Sequence, residues 1–398
     1  MRQPFFLKTL LVILLLVIFV SCEKKSSDPG ANQPTSSDKI KIGIYYPLTG
    51  DIATFGQFGK KGVEMAVTEI NASGGLLGRQ VEAIYEDTRG QQQDSTIAVQ
   101  KLINKDKVVA VLGESASTNS LAGGAVCQEN KIPMITPSST NPTVTEIGDY
   151  IFRVCFLDDF QGEVMARFAA NSLKAKRIAI LYDNGSDYSI GLEEFFTSTL
   201  KKLGGEIVAK EAYQKTDVDF SAQLTKIKGS KPDAIYVPGY YTQVGQIAQQ
   251  TRKLGMTIPL LGADGWDSPS LIEIGKEALN GCYFSNHYNV EDPDPTVSNF
   301  VKAFKTKYNT TPDTTAGLAY DATNILFAAI KRANSTESKA IRDSIAETKN
   351  FPGITGVITI SNARNAIKPA VIVGIENGKY VVKEKIAPVD KQDVATNK

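Results

Sequence analysis

From Lys39 onward the chain alternates short, almost continuous apolar runs with longer segments in which apolar residues recur every three or four positions. KIKIGIYY, QVEAIYED, VVAVLG and IPMIT read as strands buried on both faces. FGQFGKKGVEMAVTEINASGG, DSTIAVQKLINKD and STNSLAGGAVCQEN between them read as helices, the first stopped by Gly74-Gly75. Strands separated by helices predict right-handed βαβ units and a parallel sheet covered on both sides. The pattern restarts near Lys176: RIAILYD, a helix closed by Gly204-Gly205, then DAIYVPGYY and GMTIPLLGADG. The chain is therefore expected to hold two similar α/β halves. More helices follow Asn286, and GVITISNARNAIKPAVIVGIENGKYVV reads as hairpin strands with Asn377-Gly378 as a turn.

The segment before Lys39 has a different pattern. An apolar run from about Phe5 to Val20 follows Arg2 and Lys8 and ends at Ser21-Cys22. A basic start and a short apolar core describe an export signal over residues 1–21, too short for a membrane span of about 20 apolar residues. Phe19-Val20-Ser21-Cys22 resembles a bacterial lipobox, in which Cys22 becomes the lipidated first residue. Residues 22–38 carry no apolar periodicity and read as a flexible tether. The last eleven residues, 388–398, read as a disordered tail.

Charge and cysteine content narrow the classes. The formal net charge is +1, and removing residues 1–21 with Arg2 and Lys8 leaves −1, so no basic block grips nucleic acid. Beyond Cys22 only Cys127, Cys155 and Cys282 remain, which is no disulfide framework. His287 is the only histidine, and neither CxxC nor HxxxH spacing occurs, so no metal site is expected. A lone histidine reads as structural. No phosphate-binding loop and no nucleophile elbow is present. Gly56, Gly59 and Gly62 fall every three residues, which is a helix face rather than a dinucleotide loop. No cofactor and no catalysis are expected.

Ligands of open parallel sheets collect at the carboxyl ends of the strands. There the chain places Ser117, read as the N-cap of a helix whose free amides and dipole favour a carboxylate. Thr140 follows IPMIT and offers a second hydroxyl. Asp264 follows IPLLG between Ala263 and Gly265 and suits an ammonium group. Phe55, Tyr188, Tyr240 and Trp266 supply aromatic walls.

Between Lys39 and Val382 the chain resembles the leucine/isoleucine/valine-type solute-binding proteins of ABC transporters. The resemblance rests on the run from IGIYYPLTG through GGLLGRQV, the LGESAST and IPMITPSSTNP pair, FRVCFLDDFQG, and ILYDNGSDYSIGL with YVPGYYTQVG. It implies a type I periplasmic binding fold: two doubly wound parallel-sheet lobes joined by a three-strand hinge. Lobe one is expected over residues 39–157 and 286–354, lobe two over residues 158–285 and 355–387. The resemblance further implies an α-amino acid held between the lobes. Ser117 and Thr140 match hydroxyls for its carboxylate, and Ser138 matches a backbone carbonyl for its ammonium group. Asp264 matches the acid that pairs with the ammonium, where branched-chain binders commonly carry glutamate. Tyr188, Phe55 and Tyr240 match the aromatic positions. The expected protein is a monomer outside the cytoplasm, lipid-anchored at Cys22, that closes on its ligand and meets an ABC transporter permease. The alternatives are a sensor subunit of the same fold and a binder of short amides, urea or aromatic acids.

Overall fold

The computed structural model describes residues 39–387, so the expected export signal, lipidated Cys22, tether and tail lie outside the described residues. The first sheet holds β1 (Ile40–Tyr46), β2 (Val81–Asp87), β3 (Ala110–Gly113), β4 (Met134–Thr136) and β5 (Ile151–Arg153) in the order β2-β1-β3-β4-β5, all parallel. The second begins with β6 (Arg177–Asp183), β7 (Glu206–Tyr213), β8 (Ala234–Tyr236), β9 (Leu260–Gly262) and β10 (Tyr283–Asn286). Its parallel part runs β7-β6-β8-β9-β10, the same winding order as the first. Both halves of the repeat read from the sequence are therefore present. In each sheet the order reverses beside the first strand, which opens a crevice at the carboxyl ends of β1 and β3 and of β6 and β8.

A small antiparallel sheet follows, of β11 (Phe351–Gly353), β12 (Gly356–Ile360) and β13 (Ala366–Ile367). The hairpin of β14 (Ala370–Glu376) and β15 (Lys379–Ile386) then extends the second sheet, with β14 antiparallel to β10. Its turn is the predicted Asn377-Gly378 pair, at φ 50° and 72°, values that Asn and Gly tolerate best. β8, inside the sheet, is wholly buried, whereas the edge strand β15 alternates in exposure and carries Lys383 and Lys385. Charge on an edge strand discourages pairing with another chain.

The three-spaced glycines serve helix packing. A Cβ on Gly62 would lie 2.2 Å from the carbonyl oxygen of Ala316, where the helix Ala53–Ala72 crosses the helix Thr314–Ala333. A Cβ on Gly56 would lie 2.2 Å from the carbonyl oxygen of Pro47.

The chain passes between the sheets three times. Cys155 packs in the first core and Phe156 in the second. β10 ends at Asn286, and Tyr288 packs with Phe58, Phe300 and Ala316 on the first lobe. The first two crossings fall within two residues of the expected boundaries, but the third does not: residues from 355 are expected in lobe two, yet Ile358, Ile360 and Ala366 pack in the first core. The last crossing falls between Ala366 and Ala370, which packs in the second. Apolar alternation shows that β12 buries one face but not which lobe receives it, so the sequence pattern did not locate this crossing. Cys127, Cys155 and Cys282 are buried free thiols.

Candidate ligand site between the lobes

The carboxyl ends of the strands face each other across a cleft. The first lobe contributes Ser115, Ser117 and Ser138 from the ends of β3 and β4, Phe55 from the start of its helix, and Thr314, Thr315 and Leu318 from another. The second contributes Tyr188, Tyr240, Asp264 and Asp267, and His287 enters from the second crossing.

The serine wall is built on Glu114, which is fully buried just after β3. Its carboxylate accepts from the Thr88 hydroxyl at 2.6 Å, the Ala116 amide at 2.6 Å and the Asn119 side chain at 3.3 Å. Its carbonyl oxygen accepts from Thr136 at 2.7 Å and Ser139 at 3.0 Å. Burial pushes its carboxyl up to about 7 despite these donors. Glu114 thus ties the turn after β3 to the turn after β4 and sets the relative position of Ser115 and Ser138. Ser138 donates to the Ser115 carbonyl oxygen at 3.2 Å, closing the same link.

Ser117 is not the N-cap. Ala116 occupies that position, and Ser117 is the first residue of the helix Ser117–Glu129, its Oγ accepting from the Asn141 amide at 3.3 Å. The helix N-terminus still opens on the cleft, and its amides favour an anion there. Thr140 is fully buried but does not line the cleft, and its hydroxyl faces the buried carboxyl of Asp158. Ser115 stands on the cleft wall instead, with a buried, unpartnered hydroxyl.

On the second lobe Asp264 follows β9 in one turn of 3₁₀ helix, Asp264–Trp266. Its Oδ1 accepts from the Tyr188 hydroxyl at 2.8 Å and from Gln161 Nε2 at 3.0 Å. Its Oδ2 lies 3.0 Å from His287 Nε2. Tyr188 Oη also accepts from the Gly265 amide at 2.9 Å. The Tyr188 ring stacks on Tyr240 with centroids 5.1 Å apart, and Tyr240 meets the edge of Phe55 from the other lobe at 6.1 Å. Trp266, expected among the aromatic walls, faces into the core of lobe two, where its indole donates to the Val237 carbonyl oxygen at 3.0 Å.

The lobes are closed on each other. Asn141 Nδ2 donates to the Asp187 carbonyl oxygen at 2.7 Å, and the Asp187 amide donates to Thr118 Oγ1 at 3.0 Å. On the other flank the Thr54 amide donates to the Tyr241 hydroxyl at 3.1 Å, and Thr242 Oγ1 donates to the Asp51 carbonyl oxygen at 2.6 Å. No cluster among the described residues has the make-up of a metal site.

Two lobes of identical winding, three crossings and a polar, aromatic cleft between them are features of a solute-capturing fold. The family model for periplasmic binding proteins matches residues 39–379. The chain belongs to the periplasmic binding protein family. It is 33% identical to a Leu/Ile/Val-binding protein of Rhizobium johnstonii over 329 residues, 82% of this chain and 88% of that one. The crystal structure of the leucine binding protein LivK from Thermotoga maritima superposes with a TM-score of 0.85 at 40% identity, covering 88% of this chain and 99% of that one. That of LivJ from Streptococcus pneumoniae in complex with isoleucine gives a TM-score of 0.83 at 34% identity, with the same coverage. The type I periplasmic binding fold expected from the sequence is the fold observed. No helix among the described residues of this periplasmic binding protein is long and apolar enough to cross a membrane.

Six of the eight expected site residues meet in the cleft: Phe55, Ser117, Ser138, Tyr188, Tyr240 and Asp264. Thr140 and Trp266 do not reach it. Sequence reasoning missed Ser115, Asp267, His287, Thr314, Thr315 and Leu318. Ser115 lies inside the quoted LGESAST run, two residues from Ser117, and could have been found there. His287 was read as structural because its partners lie 23 residues away at Asp264 and much further at Phe156.

Proposed function

We propose that this periplasmic binding protein captures an α-amino acid with a branched apolar side chain by hinge closure and delivers it to an ABC transporter permease. The observation that carries the reading is the division of charge across the cleft. One wall offers hydroxyls and a helix N-terminus, which suit a carboxylate. The facing wall offers Asp264, which suits an ammonium group. Only a ligand bearing both ions engages both walls, and a ligand that contacts both lobes favours the closed form. Phe55, Tyr240 and Leu318 give its side chain an apolar surface. The relatives named for leucine, isoleucine and valine support the same ligand class. In this reading Ser115 and Ser117 take the carboxylate end, and Ser138 keeps the role of offering its backbone carbonyl to the ammonium group. Lobe one comprises residues 39–155 and 287–367, and lobe two residues 156–286 and 368–387.

A thermal-shift screen of protein freed of carried-over ligand by unfolding and refolding tests the reading. A true ligand at 100 times its Kd stabilises by about 2.7 kcal/mol. Leucine, isoleucine or valine is expected to shift the midpoint, and short amides, urea and benzoate are not. A shift with only the latter compounds removes Asp264 as an ammonium partner.

We further propose that Cys22 carries a lipid anchor that holds the protein outside the cytoplasm near its permease. Each buried CH₂ of such an anchor adds about 0.8 kcal/mol of membrane attachment. Cys22→Ala is expected to move the protein from the membrane fraction to the soluble extracytoplasmic fraction. Retention in the membrane fraction would count against the anchor.

A further inference from the structure

We propose that His287 is a positioning residue for the ligand's ammonium group, and that the ammonium meets the Oδ2 oxygen of Asp264 that His287 orients. The inference rests on the amino-acid reading above and assigns the acceptor atom within it.

The argument starts from the acceptor capacity of a carboxylate. Each oxygen has about two lone-pair directions. Asp264 Oδ1 already accepts from Tyr188 and from Gln161, at 2.8 and 3.0 Å. Its capacity is used by groups of the protein itself. Among the described residues Oδ2 has His287 Nε2 at 3.0 Å as its one partner, and it keeps a free direction. Asp264 lines the cleft, so a cation arriving there is directed to Oδ2.

The protonation of His287 follows from the same geometry. Nε2 faces a carboxylate, whereas Nδ1 is buried without a partner. A neutral imidazole so placed carries its proton on Nε2. Burial holds the ring down to about 4, so it is neutral at neutral pH. Asp264 and Lys368 are the charged groups that act on it. A neutral donor orients the carboxylate without cancelling its charge. A lysine in the same place would neutralise Asp264 and repel the incoming ammonium.

The ring itself is held firmly. It is buried and stacks on Phe156 with centroids 3.7 Å apart and planes at 20°. Phe156 lies at the first crossing between the lobes and His287 at the second. The donor that aims Asp264 is thus clamped where two of the hinge strands meet.

Because His287 is the only histidine in the chain, its ring is readable without assignment. Protein labelled with ¹⁵N-histidine is expected to show one neutral ring in the Nε2–H tautomer, and leucine is expected to shift its nitrogen resonances. In the purified full chain, His287→Leu keeps the packing volume and removes the donor; leucine binding by calorimetry should weaken roughly 10- to 100-fold, the value of one hydrogen bond to a charged group. His287→Gln restores a donor of similar reach and should recover most of that loss. A loss that tracks only a lower urea midpoint, with no recovery in the glutamine variant, would mark a purely structural residue. The Nδ1–H tautomer, or leucine affinity unchanged in His287→Leu, overturns the positioning role and leaves the amino-acid reading standing. Failure of every amino acid to bind the unaltered protein overturns both.

Discussion

Asp264→Ala should abolish measurable binding of the amino acid that stabilises the unaltered protein. The carboxylate is nearly withdrawn from solvent, with its side chain 8% exposed between the closed lobes. A ligand ammonium seated against it forms a desolvated ion pair. Deleting one partner of such a pair costs on the order of 3–5 kcal/mol, because the other charge is left buried and unpaired. That corresponds to a Kd weaker by about 150-fold to several thousand-fold. The substitution also releases Tyr188, Gln161 and His287, which all contact the carboxylate. Asp264→Asn separates the two effects, since the amide keeps the shape and an acceptor while losing the charge. Calorimetric titration should show both variants severely impaired and both folded by circular dichroism. An asparagine variant with native affinity would mean that the carboxylate charge is not the ammonium partner.

The place of Asp264 on the cleft was legible in the sequence, and the reason is local. An acid between small residues at the end of an apolar run sits at the open end of a parallel strand wherever the strand pairs. The same logic found Tyr240, Tyr188 and the serines. It failed where burial depends on distant partners. Trp266 stands two residues from Asp264 and reads like a cleft aromatic. Its indole instead lies against Gly262, where a Cβ would come within 2.0 Å of the ring, and donates to the carbonyl oxygen of Val237, just after β8. Thr140 failed for a similar reason, since the turn after β4 carries Ser138 to the cleft and leaves Thr140 buried. Ser117 missed the N-cap by one residue, a boundary that local pattern resolves poorly. The fold shows the same division. Strand and helix alternation, the repeat and the final hairpin follow from periodicity and turn chemistry. The lobe that receives β12 and β13 does not, because an apolar face packs equally well against either core.

Arg153 is the residue whose loss should damage the fold most among those near the site, and it was not singled out in the sequence. It ends β5 at the first crossing and is fully buried. Its Nη1 donates to the Ser139 carbonyl oxygen at 2.6 Å, its Nη2 to the Asn141 carbonyl oxygen at 2.8 Å, and its Nε to Asn365 Oδ1 at 2.7 Å. One planar guanidinium therefore fixes the turn that carries Ser138 and ties it to the residues just before the third crossing. Arg153→Met keeps much of the volume and removes every donor. Each buried acceptor left unsatisfied costs about 1–3 kcal/mol, so a total on the order of 4 kcal/mol is expected for the ligand-free protein. Arg153→Lys should recover little, because a single ammonium cannot reproduce the fork. Urea unfolding measures the stability, and titration with the stabilising amino acid measures the turn. Both should fall together in the methionine variant, since the same hydrogen bonds hold the fold and aim Ser138. Normal stability in Arg153→Met would mean that the turn after β4 is held by the Glu114 hydrogen bonds alone.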